Sequence, residues 1–134
     1  MRSMAQKRAE YALERVIQAN SIVADKDKFP SFVSGTPSMI LQNGFGQTLA
    51  FLLAKGTKDG RIKDNDKHIV VFKMVQDWLA LKKGDVDNRF TNATDMTGLI
   101  GELSTMDQRT YLSAQNEALA LLEWAKRFAN ADLS

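Results

Sequence analysis

Apolar residues recur at three- and four-residue intervals along almost the whole chain, and that period leaves helices as the main structural option. From Ala5 to about Val23 the positions Ala5, Ala9, Ala12, Leu13, Val16 and Ile17, continuing past Asn20, lay one stripe along a helix with a charged outer face. The connector "DKDKFPSFVSG" has room for one short helical turn around Phe29 to Val33. Thr36 then caps a second helix with Pro37 at its first position and Gly56 just past its end. A third helix, from about Asp66 to Lys82, is capped by Asn65 or Asp64, turns Ile69, Phe72, Val75, Trp78 and Leu79 inward, and is closed by Gly84. A short helix over Asp95 to Leu103 is weakened by Gly98 and Gly101. Thr105 and Gln108 form a capping-box pattern ahead of a long stripe: Tyr111, Ala114, Ala118, Leu121, Leu122, Ala125, Phe128 and Ala129. The only two prolines, Pro30 and Pro37, both precede helical patterns, and no strand signal competes. The expected fold is all-α: one domain over residues 1–134, a single compact bundle of five to six helices.

Composition removes several classes of function. With no cysteine, the chain has no disulfide, thiolate nucleophile or cysteine metal site, and a reducing, cytoplasmic setting is expected. "MRSMAQKRAEYALERV" lacks the unbroken apolar core of a signal peptide, and no window is long and apolar enough for a bilayer, so neither export nor membrane insertion is expected. The single histidine, His68, has no histidine or cysteine partner for zinc and reads as a surface side chain. "DND" at Asp64 to Asp66 and "DVD" at Asp85 to Asp87 lack the glycine and terminal glutamate of a calcium loop. "GFGQTL" lacks the third glycine of a dinucleotide fingerprint, and "KGTKDG" lacks the ending of a phosphate loop. No catalytic residue, metal site or cofactor is expected, and the chain reads as a binding protein.

A net charge of only +2 does not announce a nucleic-acid partner, so placement decides. No acidic residue occurs between Asp27 and Asp59, while Lys28, Lys55 and Lys58 do. Lys55, Lys58, Arg61 and Lys63 form the densest basic run, open to phosphate contact or to plain solvation. On the first helix Arg8, Tyr11 and Arg15 share a face with Lys7 and Gln18 at its margin, which suits a phosphate strand or, given Glu10 and Glu14, a solvated face. Gly44 and Gly46 together weaken a helix by roughly 2 kcal/mol unless a close approach returns it. Either a neighbouring helix packs on them, with the amides satisfying backbone groups, or Asn43 and Gln47 present a small, polar surface to a partner. Gln42 falls on the apolar side, buried with partners or at a seam. Trp78 and Trp124 read as core, and Glu117 as one half of an internal ion pair.

Three blocks carry a resemblance: "QKRAEYALERV" (Gln6 to Val16), "TPSMILQNGFGQTLAFLLAKG" (Thr36 to Gly56) and "YLSAQNEALALLEWAKRFA" (Tyr111 to Ala129). They resemble the signature blocks of the small subunit of type III-B CRISPR effector complexes, the fifth protein of the Cmr module, and span nearly the whole chain. The resemblance implies an all-helical, non-catalytic protein present in several copies. These stack as a minor filament beside the backbone subunits that grip the guide RNA. It assigns target-RNA cutting to the backbone subunits and nucleotide-signal synthesis to the large subunit. By position it matches Gln6, Arg8, Gln42, Asn43, Gly44, Gln47, Lys55, Glu117 and Trp124. The implied partners are the other Cmr subunits, copies of the chain itself, and guide and target RNA, with no membrane and a monomer when isolated. Two readings stand: a subunit that contacts RNA through Lys7, Arg8, Arg15, Lys55, Lys58, Arg61 and Lys63 and other subunits through Gln42, Asn43 and Gln47, or a pure assembly spacer.

Overall fold

The computed structural model describes residues 1–133 and is built on six helices. Helix α1 (Met4–Ile22) starts on a reciprocal cap: the Gln6 backbone N–H donates to the Ser3 hydroxyl at 3.2 Å, and the Ser3 N–H to Gln6 Oε1 at 2.7 Å. Its buried stripe is Ala12, Val16 and Ala19, rotated from the expected one, so that Leu13 and Ile17 are 37% and 42% exposed. Through this stripe of small residues α1 packs mainly on the last helix.

The second helix begins earlier than expected. Helix α2 (Phe29–Asn43) takes Pro30 in its first turn, where no N–H is needed, and contains Pro37 in its interior. Thr36 is therefore a mid-helix residue whose hydroxyl donates back to the Phe32 carbonyl at 2.9 Å. The helix survives its proline because Phe29, Val33, Thr36, Pro37 and Ile40 keep a helical period and are all buried. It ends one residue before Gly44, whose φ of +89° suits glycine and stops the helix; α3 (Phe45–Lys55) restarts immediately. The expected single helix from Pro37 to Gly56 is thus two helices with a joint. Gly56 does follow α3, with Ile69 packed against it.

Helix α4 (Lys67–Ala80) is the centre of the fold. Nine of its side chains are buried, from Ile69 through Leu79, on nearly every face, as expected of a helix surrounded by others. Its cap is Asp66, not Asn65 or Asp64: the Asp66 carboxylate accepts from the His68 N–H at 2.7 Å. Gln76 is buried and donates to the Asp95 carbonyl at 2.7 Å. Helices α5 (Met96–Thr105) and α6 (Gln108–Ala129) complete the bundle, α6 packing most extensively on α1 and α2. Asp107, not Thr105, caps α6 by accepting from the Thr110 N–H at 2.8 Å, because Thr105 is still inside α5.

Two small antiparallel hairpins interrupt the helices where only turns are expected. In the first, β1 (Thr57–Lys58) pairs with β2 (Arg61–Ile62) around Asp59 and Gly60, whose φ values of 53° and 74° fit a two-residue type I′ turn. In the second, β3 (Lys82–Lys83) pairs with β4 (Val86–Asp87) around Gly84 and Asp85. Gly84 therefore sits in this hairpin and does not close α4, which ends at Ala80. No helix among the described residues is long and apolar enough to cross a membrane.

Candidate nucleic-acid interface

The two arginines of α1 are tied down. Arg8 meets Glu117 of α6 with Nε at 2.6 Å from Oε2 and Nη2 at 2.9 Å from Oε1, and Trp78 Nε1 donates to the same Oε2 at 3.0 Å. Trp78 is fully buried and the Glu117 side chain is 9% exposed, so this bidentate pair is partly buried and ties α1 to α6. Burial pushes the Glu117 carboxyl up, but the hydrogen bonds from Arg8 and Trp78 and the Arg8 charge outweigh it and hold the carboxyl below its ordinary pKa. The expected internal partner of Glu117 is thus Arg8 itself. Arg15 donates from Nη1 to the Tyr11 hydroxyl and to Asp77 Oδ2, both at 2.8 Å, and Tyr11 donates to the Met74 carbonyl at 2.7 Å. Burial pushes the Tyr11 phenol well above its ordinary pKa, so it stays a neutral link. Lys7 lines a cleft of mixed charge with Arg2, Glu10, Glu14 and Asp85.

The basic run behaves differently. Lys55 ends α3, Lys58 and Arg61 face each other directly across the first hairpin, and Lys63 follows β2; all are exposed. Among the described residues none of the four forms an ion pair. Asp59, in the turn, is the one acid within the run, and Asp64 just beyond it is bound to Lys73 at 2.6 Å. Like charges directly opposite on a hairpin repel.

The amides lie beside this run. Gln42, Asn43 and Gln47 are all exposed, so Gln42 is not buried as its apolar side suggested. Asn43 and Gln47 line one shallow groove with Met39, Thr48 and Phe51. The Gly46 N–H donates to the Tyr111 hydroxyl of α6 at 2.8 Å, and a side-chain carbon at Gly46 would lie 3.5 Å from that oxygen. The positive φ accounts for Gly44, whereas at Gly46 a side-chain carbon would make only ordinary contact with α6, and the amides are left facing outward. His68 is not a surface side chain. Its ring is packed edge-on between Phe32 and Phe51, and Nδ1 lies 2.7 Å from Asp66 Oδ1. Sequence reasoning passed over Phe51, although it lies one helical turn from both Gln47 and Lys55.

Among the described residues no group of three or more His, Asp or Glu side chains could hold a metal ion. Fold and surface together define a small all-helical protein with an internally braced bundle and an exposed basic run whose four cations form no ion pair among the described residues. Residues 4–132 match the family described as "CRISPR-associated protein (Cas_Cmr5)". A similar curated protein is the "CRISPR system Cmr subunit Cmr5" of Thermotoga maritima, 34% identical over 106 residues, covering 77% of this chain and 67% of that one. The fold is similar to the X-ray structure of a CRISPR-associated Cmr5 family protein from Thermus thermophilus, with a TM-score of 0.67 and 24% identity over the whole of both chains. The chain belongs to the Cmr5 family, the small subunits of the type III-B Cmr system.

Proposed function

We propose that this chain is a non-catalytic small subunit of a Cmr ribonucleoprotein, set in several copies along the guide–target RNA duplex, where it helps to hold target RNA. The other Cmr subunits, backbone and large, are its protein partners, and the cytoplasm its setting. The observation that carries this reading is the run Lys55, Lys58, Arg61 and Lys63, exposed, without a carboxylate partner among the described residues, and with Lys58 and Arg61 set opposite each other by a hairpin. Such a cluster suits phosphates and carries no sequence preference. With about four contacts to a single strand, affinity would fall roughly fiftyfold between about 50 and about 200 mM salt. One copy therefore binds weakly, and an array gains by raising the effective concentration of the next contact. Arg8 and Arg15 enter this reading as braces of the bundle.

The test is charge reversal at Lys58 and Arg61 in reconstituted complex. Loss of target-RNA retention with every subunit still present supports the proposal. Unchanged retention would make the chain a protein-only spacer.

A further inference from the structure

The groove beside the basic run has a chemistry of its own. It is open, about 340 Å³, and lined by Met39, Asn43, Gln47, Thr48 and Phe51. Gln47, Phe51 and Lys55 follow one another at single-turn intervals on α3, and Asn43, the last residue of α2, joins them across the Gly44 joint. Phe51 is 40% exposed, unusual company for two amides, yet it is not loose. One edge leans on His68 at 5.9 Å between ring centroids, and His68 is fixed in turn by Phe32 and Asp66. Lys55 Nζ lies 5.8 Å from the Phe51 ring centroid.

The amides of Asn43 and Gln47 make no hydrogen bond among the described residues, whereas the neighbouring Thr48 hydroxyl is engaged by the Gly44 carbonyl at 2.9 Å. Each amide keeps two N–H donors and a carbonyl acceptor for a ligand. The set is therefore a braced aromatic platform, a donor and acceptor pair at its margin, and a cation one turn away that leads into the basic run.

We propose that this groove holds one unpaired nucleobase of single-stranded RNA, stacked on Phe51, with its edge hydrogen-bonded by Asn43 and Gln47 and its adjoining phosphate at Lys55. The inference rests on the phosphate-binding reading of the basic run and adds a base to it. An acidic peptide would satisfy Lys55, but it would leave the ring and the paired amides without a counterpart. A planar heteroaromatic ring with donor and acceptor edges uses all three. Stacking on aromatic side chains tolerates any base, and the amides supply a preference among them.

The test uses the full chain at low salt with two probes: single-stranded oligoadenylate, and an abasic ribose-phosphate oligomer of the same length. A Phe51→Trp variant places an indole on the platform, with the wild-type chain as the fluorescence control. Quenching of the added emission by oligoadenylate, and not by the abasic oligomer, is expected. Phe51→Leu should weaken oligoadenylate about tenfold while leaving the abasic affinity unchanged, Phe51→Tyr should behave as wild type, and Asn43→Ala with Gln47→Ala should narrow the difference between adenylate and uridylate oligomers. Circular dichroism verifies that each variant folds.

Equal binding of both probes by wild type and Phe51→Leu overturns the base site. If Lys58→Glu with Arg61→Glu still weakens both oligomers in that case, the phosphate reading stands without it. If no variant changes the binding of either oligomer, both readings fall. A photoreactive residue at position 47 that captures another protein subunit in the complex, and no RNA, would assign the groove to a protein and overturn the inference.

Discussion

The arginines on and just before α1 and the cations of the basic run around the first hairpin stand in different electrostatic situations. Arg2, Arg8 and Arg15 each meet a carboxylate, Asp85, Glu117 and Asp77, that lies far along the chain. Among the described residues Lys55, Lys58, Arg61 and Lys63 meet none. The second hairpin sharpens the contrast. There Lys82 faces Asp87 across the strands, Arg89 holds Asp87 below its ordinary pKa, and Arg2 does the same for Asp85. The second hairpin sets Lys82 and Lys83 against Asp85 and Asp87, whereas the first sets Lys58 and Arg61 against Asp59 alone. Charge near a helix face thus says little about a partner until the distant half of each pair is known.

The largest expected effect tests the braced side. Glu117→Ala leaves the Arg8 guanidinium and the Trp78 N–H inside the bundle without their acceptor, and should cost about 3 kcal/mol, a fall in Tm of about 10 °C, measured by thermal unfolding. RNA retention by the folded fraction should not change. The same pair predicts a pH dependence. Because the folded-state pKa of Glu117 is depressed, its stabilisation is present above the unfolded value of about 4.3 and is lost as pH falls through the folded value. Acid unfolding below about pH 4 should therefore be less steep in Glu117→Gln than in wild type, when each is compared with its own stability at neutral pH.

The next effect tests the open side. Lys58→Glu with Arg61→Glu should weaken target-RNA retention roughly tenfold and reduce the salt slope by about 1.4, with no loss of Tm. The matched control, Lys82→Glu with Lys83→Glu, should leave retention within about twofold of wild type. Arg15→Ala should cost about 1 kcal/mol in thermal unfolding, since it loses a tyrosine and an aspartate contact in a half-exposed setting. The smallest effect carries the opposite sign. Lys58→Thr removes the repulsion across the first hairpin and should raise stability by about 0.3 kcal/mol while weakening RNA binding.

Much of this was legible in the sequence, and the misses have physical causes. The three-four period gave the bundle and most of the buried stripe of α6, because burial of one stripe sets the period directly. The joint at Gly44 was hidden because Phe45, Leu49 and Leu52 keep the period through it; the positive φ, not the pattern, ends α2. Pro37 misled in the other direction, since a buried stripe can carry a helix through a proline. The Asp59-Gly60 pair was a hairpin signal in plain view, outweighed by the charge around it. Of the candidate site, the basic run and the amides were read from residue type alone. The engagement of Arg8 was half visible, in the expectation that Glu117 pairs internally, but its partner is 109 residues away and only packing joins them. Phe51 was passed over because a phenylalanine in an apolar helix is assumed to face inward.

The two-residue tip of the first hairpin has one more implication. Its positive φ values lock the reach of Lys58 and Arg61 into backbone register, so adding a lone glycine between Asp59 and Gly60 would swing those side chains out of alignment while deleting no positive group. Spacing, as much as composition, would then be the inherited trait, and a drifting turn length could disarm the edge without any change in its charge.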